Sequence, residues 1–163
     1  MNEVVFSPIG VLRTPHLRPE SMPIQPAGAR GVRGEALLAP HVGDGLLHLD
    51  GFSHLILLYV FHEVGPAKLR VTPFLDSQAH GVFATRAPCR PNPIGLSVVR
   101  LLGVEQDRLL LEDVDMLDGS PLLDIKPFVP SFDVPVDAVR IGWLAASHDA
   151  AEAARSDARF QHG

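Results

Sequence analysis

The chain has 163 residues and a net charge of −5, with 46% apolar and 20% charged residues. This length predicts one domain with its own core, the composition excludes wholesale disorder, and the negative charge excludes generic attraction to nucleic acid. The longest apolar run, residues 55–61, is too short for a membrane span, the N-terminus lacks the basic region of a signal peptide, and a single cysteine permits no internal disulfide. These features predict a cytoplasmic protein with no membrane partner.

Prolines and glycines, 15 and 14 in number, lie scattered between short apolar runs. This spacing is typical of many short strands separated by turns. One stretch, residues 16–34, has no apolar period and predicts a long ordered loop, while residues 41–52 predict one or two helical turns. Eight runs have the composition of a strand, and together they predict a fold of about seven strands. In chain order, these runs are residues 4–14, 34–40, 53–64, 68–75, 80–86, 94–105, 107–117 and 121–129.

The last residues differ in character from the rest of the chain. Residues 147–160 begin with Ser147, carry acids early and arginines late, and are rich in alanine, which predicts a capped helix. The fold class is therefore predicted as all-β, a small closed or partly closed barrel of about seven strands with a short C-terminal helix. The predicted organisation is a barrel domain over residues 1–143 and a helical tail over 144–163.

The stretch TRAPCRPNPIGLSVV, residues 85–99, combines rigidity with positive charge. Each proline fixes its own φ and forces the residue before it into an extended conformation. The loop is therefore largely ordered before any ligand binds, and its Arg86 and Arg90 are suited to grip a carboxylate or phosphate. The residues alone predict a preformed anion-binding loop at the start of a strand.

Other polar residues give weaker signals. GDGLLH at residues 43–48 lacks the third glycine of a dinucleotide fingerprint, and no histidine or cysteine spacing predicts a metal site. His62 ends the strongest strand and is a candidate pocket residue, whereas Cys89 is interpreted as a buried structural thiol. Asp118 to Pro121 predict a tight turn with polar groups for a ligand, and Asp124 and Lys126 lie on one face of a strand and can pair.

Four stretches, GVFATRAPCRPNPIGLSVV, GFSHLILLYVFH, SPIGVLRTP and DGSPLLDIKPF, together resemble the TsaA-like (TrmO) family of S-adenosylmethionine-dependent methyltransferases, over roughly residues 4–133. The resemblance implies a small β-barrel unrelated to the Rossmann methyltransferases, with S-adenosyl-L-methionine as its cofactor. The implied reaction is N-methylation of threonylcarbamoyl-adenosine beside the tRNA anticodon. The resemblance also implies a homodimer with the cofactor near the subunit junction.

The resemblance further implies which residues contact the cofactor: Gln25, Pro26, Ala27, Phe61, His62, Arg86, Leu96, Asp118, Gly119, Ser120 and Pro121. The acceptor nitrogen is weakly basic, so a group that accepts its proton is expected. His62, Asp118 and Asp124 all stay open as the catalytic residue. Arg90 is expected to face the acceptor, with Lys126 as a second substrate-binding candidate.

Two other functions stay open at this point. The net acidity of the chain favours a small-molecule acceptor for the same methyl group. A barrel of this kind can also act without catalysis, by sensing S-adenosylmethionine and signalling through its dimer.

Overall fold

The computed structural model describes residues 2–146 and 152–161. Most regular structure in these residues is β-strand, and one turn of α-helix, α1 (Pro130–Asp133), is the only α-helix among them. The strands are β1 (Gly10–Arg13), β2 (Arg33–Leu38), β3 (His54–Val60), β4 (Arg70–Val71), β5 (His80–Gly81), β6 (Ile94–Glu105), β7 (Arg108–Glu112) and β8 (Pro121–Pro127). No helix in the described part of the chain is long and apolar enough to cross a membrane.

Six strands close a barrel in the order β1-β2-β7-β6-β3-β8, and β8 returns to pair with β1. Every pairing in the barrel is antiparallel. β4 and β5 form a separate two-stranded ribbon. Closure leaves none of the six strands with an unpaired edge, which is the problem that small β-proteins must solve. The predicted all-β barrel is thus confirmed, with six barrel strands and two ribbon strands where about seven were expected.

Alternation of side chains along β3 and β6 builds the barrel interior. In β3, Leu55, Leu57 and Tyr59 are buried, and the residues between them face outward. β6 is antiparallel to β3, with Leu57 opposite Ser97 and Tyr59 opposite Gly95. Because side chains point alternately to the two faces of a strand, this register decides which residues share the interior.

A second, smaller cluster lies outside the barrel. It contains Cys89, which is buried, and burial raises the pKa of its thiol despite the nearby charges of Lys68 and Arg90. The thiol is therefore an inert packing group, as the sequence predicted. The buried members of this cluster are Val71, Val82, Ala87, Cys89 and Phe160.

Two predicted elements differ from the structure. The first strand starts only at Gly10; Ile9 still bonds through its backbone to Leu122 and Ala39, and residues 2–8 belong to no strand. The helix predicted over residues 147–160 is absent from its described part, residues 152–160, where Arg155 forms a β-bridge with Pro23 and residues Ala158–Phe160 form a 3-10 turn. Alanine-rich composition is a weak preference, and these tertiary contacts override it. Residues 147–151 lie outside the described part of the chain.

Candidate active site

A cavity of ≈ 860 Å³ opens where β3 ends and β6 begins. We call one side of this cavity its inner wall. It comprises the lining residues of β3, β6 and two short segments, 61–64 and 115–120. Its outer wall comprises the lining residues of segments 19–27, 73–75 and 83–90 and of the tail, residues 143–161. The volume lies within the usual range for small-molecule sites.

A chain of three hydrogen-bonded side chains crosses the inner wall. Ser97 Oγ donates to Asp115 Oδ1 at 2.6 Å, and Tyr59 Oη lies 3.1 Å from Ser97 Oγ. Since the single hydroxyl proton of Ser97 is used on Asp115, Tyr59 must donate to Ser97. Gly95 makes this arrangement possible, because a side chain there would overlap the Tyr59 ring.

Burial changes the ionisation of both ends of this chain. Burial raises the pKa of Asp115 from its ordinary 3.8 to about 6, even though the hydrogen bond from Ser97 and the charge of Arg86 favour the carboxylate. The pKa of the Tyr59 phenol also rises, first through burial and then through the negative charge of Asp115. Asp115 is therefore a carboxylate that changes charge near neutral pH, at the wall of a cavity, which is typical of a functional site.

The turn that follows Asp115 places His62 and Ser120 side by side. Gly119 adopts a φ of +79°, a left-handed conformation that favours glycine. Ser120 is buried, donates to the carbonyl oxygen of Leu117 at 2.8 Å, and places its Oγ 3.4 Å from His62 Nδ1. His62 itself is exposed to the cavity.

Asp118 has a different position. Its Oδ1 accepts a hydrogen bond from the backbone N–H of Thr14 at 3.0 Å, and its Oδ2 pairs with Arg13 Nη1 at 3.2 Å. Both oxygens are thus engaged by the end of β1, and the residue does not line the cavity. Its observed contacts anchor the turn to the barrel.

The rigid, positively charged loop that begins at Thr85 forms part of the outer wall. Arg86 Nη1 donates to Gln25 Oε1 at 3.0 Å, which joins two residues predicted to bind the cofactor. Arg90 Nη1 reaches the carbonyl oxygen of Thr85 at 3.4 Å, a long contact and the only hydrogen bond that its side chain makes to the described residues. Both arginines line the cavity.

The tail completes the outer wall. Trp143 Nε1 donates to the carbonyl oxygen of Ala84 at 2.8 Å, and the Trp143 ring stacks on His80 with 4.6 Å between centroids. Phe160 packs edge-on against Phe74 at 5.0 Å, and Ser156 donates to the carbonyl oxygen of Pro19. Isolated contacts of this kind, and not strand pairing, hold most of the tail in place.

Asp124 and Lys126 lie elsewhere. Both belong to β8, where Asp124 pairs with Leu58 and Lys126 with Ile56 in the register with β3. Lys126 Nζ lies 2.7 Å from Asp124 Oδ2, so the predicted ion pair is confirmed. Neither residue lines the cavity.

The structure therefore brings most of the predicted site residues together and leaves several outside. Asp118, Gly119 and Pro121 flank Ser120 but do not line the cavity, like Asp124 and Lys126. The predicted residues that do line it are Gln25, Pro26, Ala27, Phe61, His62, Arg86, Arg90, Leu96 and Ser120. The chain Tyr59–Ser97–Asp115 was missed. A signal for it existed, because Ser97 interrupts an apolar strand and Asp115 stands between the buried Val114 and Met116.

Residues 11–134 match the family described as the tRNA-methyltransferase O N-terminal domain. A relative from Pyrococcus abyssi, a probable S-adenosyl-L-methionine-binding protein, is 48% identical over 157 residues, which are 96% of this chain and 85% of the relative. The tRNA (adenine(37)-N6)-methyltransferase of Escherichia coli K12 is 40% identical over 148 residues, which are 85% of this chain and 63% of that enzyme.

The architecture is also similar to solved structures. The crystal structure of TrmO from Pseudomonas aeruginosa matches with a TM-score of 0.72 and 42% identity, over 87% of this chain and 63% of that one. The present chain thus spans slightly less than two thirds of the length of the TrmO structure and of the E. coli enzyme. Much of the tail that lines the outer wall lies beyond the residues that match the family.

Proposed function

Since the chain belongs to the family of the tRNA-methyltransferase O N-terminal domain, we propose that it binds S-adenosylmethionine and transfers its methyl group to an adenosine of tRNA. The observation that carries this proposal is the single cavity whose two walls bring together Gln25, Phe61, His62, Arg86 and Ser120, residues far apart in the sequence. Relatives named as S-adenosyl-L-methionine-binding proteins and as a tRNA methyltransferase support both halves of it.

The chemistry of the cavity fits such a cofactor. The cofactor has a flat adenine ring, a sugar, and an amino-acid end with a carboxylate. The aromatic ring of Phe61 and the side chains of Pro26 and Leu96 offer apolar surface for the ring. Arg86, held by Gln25, offers a guanidinium for the carboxylate. When bound, the cofactor supplies an electrophilic methyl group, and these residues hold and orient it.

A tRNA substrate requires local positive charge on a chain whose net charge is −5. A second depression is lined by the basic Lys68, Arg70 and Arg159, the last of them paired with Asp157, and by the acidic Asp76, and it shares Phe160 with the lining of the cavity. Lys68 and Arg70 are exposed. This basic surface beside the cavity supports contact with a phosphate backbone while a base enters the site.

We assign the finer substrate as threonylcarbamoyl-adenosine next to the anticodon. The motivation is the resemblance of the site motifs together with Arg90, which lines the cavity, makes one long hydrogen bond to the described residues, and has a guanidinium suited to the threonyl carboxylate or a phosphate. We also propose a cytoplasmic location, which the single cysteine and a tRNA substrate support.

We also propose a homodimer. The outer face of β6 exposes Ile94, Leu96 and Leu102 by 39%, 49% and 44%, and two of these three residues border the cavity. Exposed apolar side chains that adjoin a site mark an interface. A second copy on this face would cover the cavity mouth. Light scattering at micromolar concentration should give twice 17.6 kDa, and a purely monomeric species would reject the dimer.

Mass spectrometry of nucleosides tests the enzymatic proposal. The purified chain is incubated with S-adenosylmethionine and tRNA that carries threonylcarbamoyl-adenosine, and the expected result is that nucleoside plus one methyl group. The control is tRNA that lacks the threonylcarbamoyl group. Methylation of the control alone would reject the finer substrate. If the chain binds the cofactor and transfers the methyl group to a small-molecule extract but not to RNA, the acceptor is a small molecule. If it binds the cofactor and transfers no methyl group at all, the result favours a non-catalytic sensor.

A further inference from the structure

Resting on the proposed function, we infer that Asp115 accepts the proton of the acceptor nitrogen, with Ser97 and Tyr59 as the residues that position its carboxylate. Asp115 lines the cavity and is half-buried. Among the described residues, the only side chain that donates to it is Ser97, on Oδ1. Its second oxygen, Oδ2, therefore has no side-chain donor and is available to a group in the cavity.

The other carboxylates near the cavity lack this combination. Glu63 is exposed to solvent, and Asp157 forms an ion pair with Arg159 at 2.7 Å that lowers its pKa. Asp118 has both oxygens engaged by the end of β1 and lies outside the lining. A base works best when its pKa lies near the working pH, and among carboxylates only one in a desolvated setting meets this condition.

Burial and the groups around Asp115 determine the protonation of its carboxyl group. Tyr59 approaches from β3 through Ser97 of β6, and Arg86 contributes its positive charge from the loop before β6. Burial favours the protonated acid, whereas the bond from Ser97 and the charge of Arg86 favour the carboxylate. These opposing effects leave a carboxylate that is charged at neutral pH yet more basic than an ordinary aspartate.

The proton transfer balances as follows. As the acceptor nitrogen bonds to the methyl carbon, the carbon–sulfur bond breaks and its electron pair stays on sulfur. The proton of the nitrogen passes to Oδ2 of Asp115 and then to water. Orientation by Ser97 is useful here because it fixes Oδ1, while Oδ2 has no side-chain donor among the described residues. His62, which is exposed and 3.4 Å from Ser120, is left to bind and orient ligands.

Asp115→Asn tests this role, because asparagine keeps the shape and still accepts from Ser97. We expect kcat to fall by ~10²–10⁴-fold while the Kd of S-adenosylmethionine changes by less than about twofold. Asp113→Asn is the matched control, two residues away and outside the cavity lining, and it should keep wild-type values. Unchanged kcat in Asp115→Asn overturns the inference. A parallel loss of cofactor affinity also overturns it, since Asp115 would then bind the cofactor's ammonium group.

Two further measurements exclude a merely structural role. Ser97→Ala removes a bond that favours the carboxylate, so the acid limb of the kcat profile should move to higher pH, and raising the pH should restore activity. Carbon-13 NMR of the wild type, which needs no acceptor, should show an aspartate carboxyl that titrates near pH 6 and is missing in Asp115→Asn. An acid limb that stays in place in Ser97→Ala, or an Asp115 that titrates near 4, contradicts the inference.

The acceptor assay is run on tRNA and, in parallel, on a deproteinised small-molecule extract. Wild-type transfer to the extract but not to tRNA would reject the proposed substrate, and the Asp115→Asn comparison would then be made on the extract. The failure of the proposed substrate and the failure of the inference about Asp115 are thereby distinguishable.

Discussion

The inner and outer walls of the cavity are held in place by different kinds of contact. Tyr59, Gly95 and Leu96 of the inner wall belong to the paired strands β3 and β6, whose hydrogen-bonded ladder runs along all of β3. In the outer wall, Trp143 is held by one side-chain hydrogen bond to Ala84, and residues 155–156 are held by an isolated bridge to Pro23 and a few hydrogen bonds to residues 19–22. Strand ladders in a closed barrel open only with the whole fold, whereas loops held by isolated contacts open locally.

This difference matches what each wall has to do. A proton-accepting group must be aligned within a fraction of an ångström, and a rigid strand pair supplies that alignment. A bulky acceptor must enter and leave, and loops that move independently of the core allow it. The comparison therefore predicts that changes in the inner wall and core affect global stability or chemistry, and that changes in the outer wall act locally on binding.

The largest expected effect is on the barrel core behind the inner wall. Leu57 is fully buried on β3, so Leu57→Ala should lower the free energy of unfolding by ~2–5 kcal/mol, through lost burial and a cavity. Urea denaturation measures the change. Leu17→Ala is the matched control, because this leucine is 75% exposed and its truncation should cost less than about 0.5 kcal/mol. Equal costs for the two would refute the assignment of the core.

A second expected effect is a pH dependence of stability that comes from Asp115. Its pKa is raised in the folded protein to about 6, so the folded state holds a proton that the unfolded state has lost above about 4. Stability should therefore fall as pH rises from about 4 to about 6, by at most ~3 kcal/mol. Unfolding of wild type and Asp115→Asn across this range measures it. The fall should be reduced in Asp115→Asn and kept in Asp113→Asn, and identical slopes in all three would contradict it.

The third effect concerns the two arginines of the outer wall. Arg86 is held by Gln25 and should bind the cofactor, so Arg86→Ala should weaken cofactor binding by ~1.5–3 kcal/mol. Arg90→Ala should leave cofactor affinity nearly unchanged and weaken binding of the acceptor. Calorimetric titration with S-adenosylmethionine, and filter binding with tRNA, separate the two. Equal cofactor losses would mean that Arg90 acts through its contact with Thr85 to hold the loop in shape.

The smallest effect is expected at the tail. Trp143→Phe keeps an aromatic ring over His80 but removes the hydrogen bond to Ala84, a net loss of ~0.5–1.5 kcal/mol. Because the outer wall opens locally, this loss should appear as faster hydrogen exchange around residues 83–87, with little change in the global unfolding midpoint. A global loss of the same size would show that the tail unfolds together with the barrel.

The sequence predicted the barrel strands better than the ribbon strands and the tail. β6 and the turn after it were predicted correctly, because a long run of apolar residues broken by a polar turn is an unambiguous pattern, whereas β7 ends at Glu112, five residues before its predicted end. The ribbon strands β4 and β5 have two residues each, too short for any period to define. The tail could not be predicted, since contacts such as Arg155 with Pro23 join residues over a hundred positions apart.

The part of the site whose residues belong to sequence motifs was predictable. Gln25, Arg86 and Ser120 were expected together from resemblance, and they line one cavity. Asp115 was not expected, because its role depends on a register that places Tyr59 opposite Gly95 and leaves room for the phenol to reach Ser97. A hydrogen-bond chain across two strands and a loop is a property of the fold, and no local pattern encodes it.

The placement of the aromatic residues has a practical consequence for experiments. The chain contains one tyrosine and one tryptophan. Tyr59 is buried in the inner wall, and Trp143 belongs to the outer wall. The native protein thus carries two intrinsic optical reporters. Indole fluorescence, excited above the absorption band of the phenol, follows the tail alone, while ultraviolet difference absorbance follows the phenol in the barrel. Loop opening and barrel unfolding can be timed separately in one unlabelled sample.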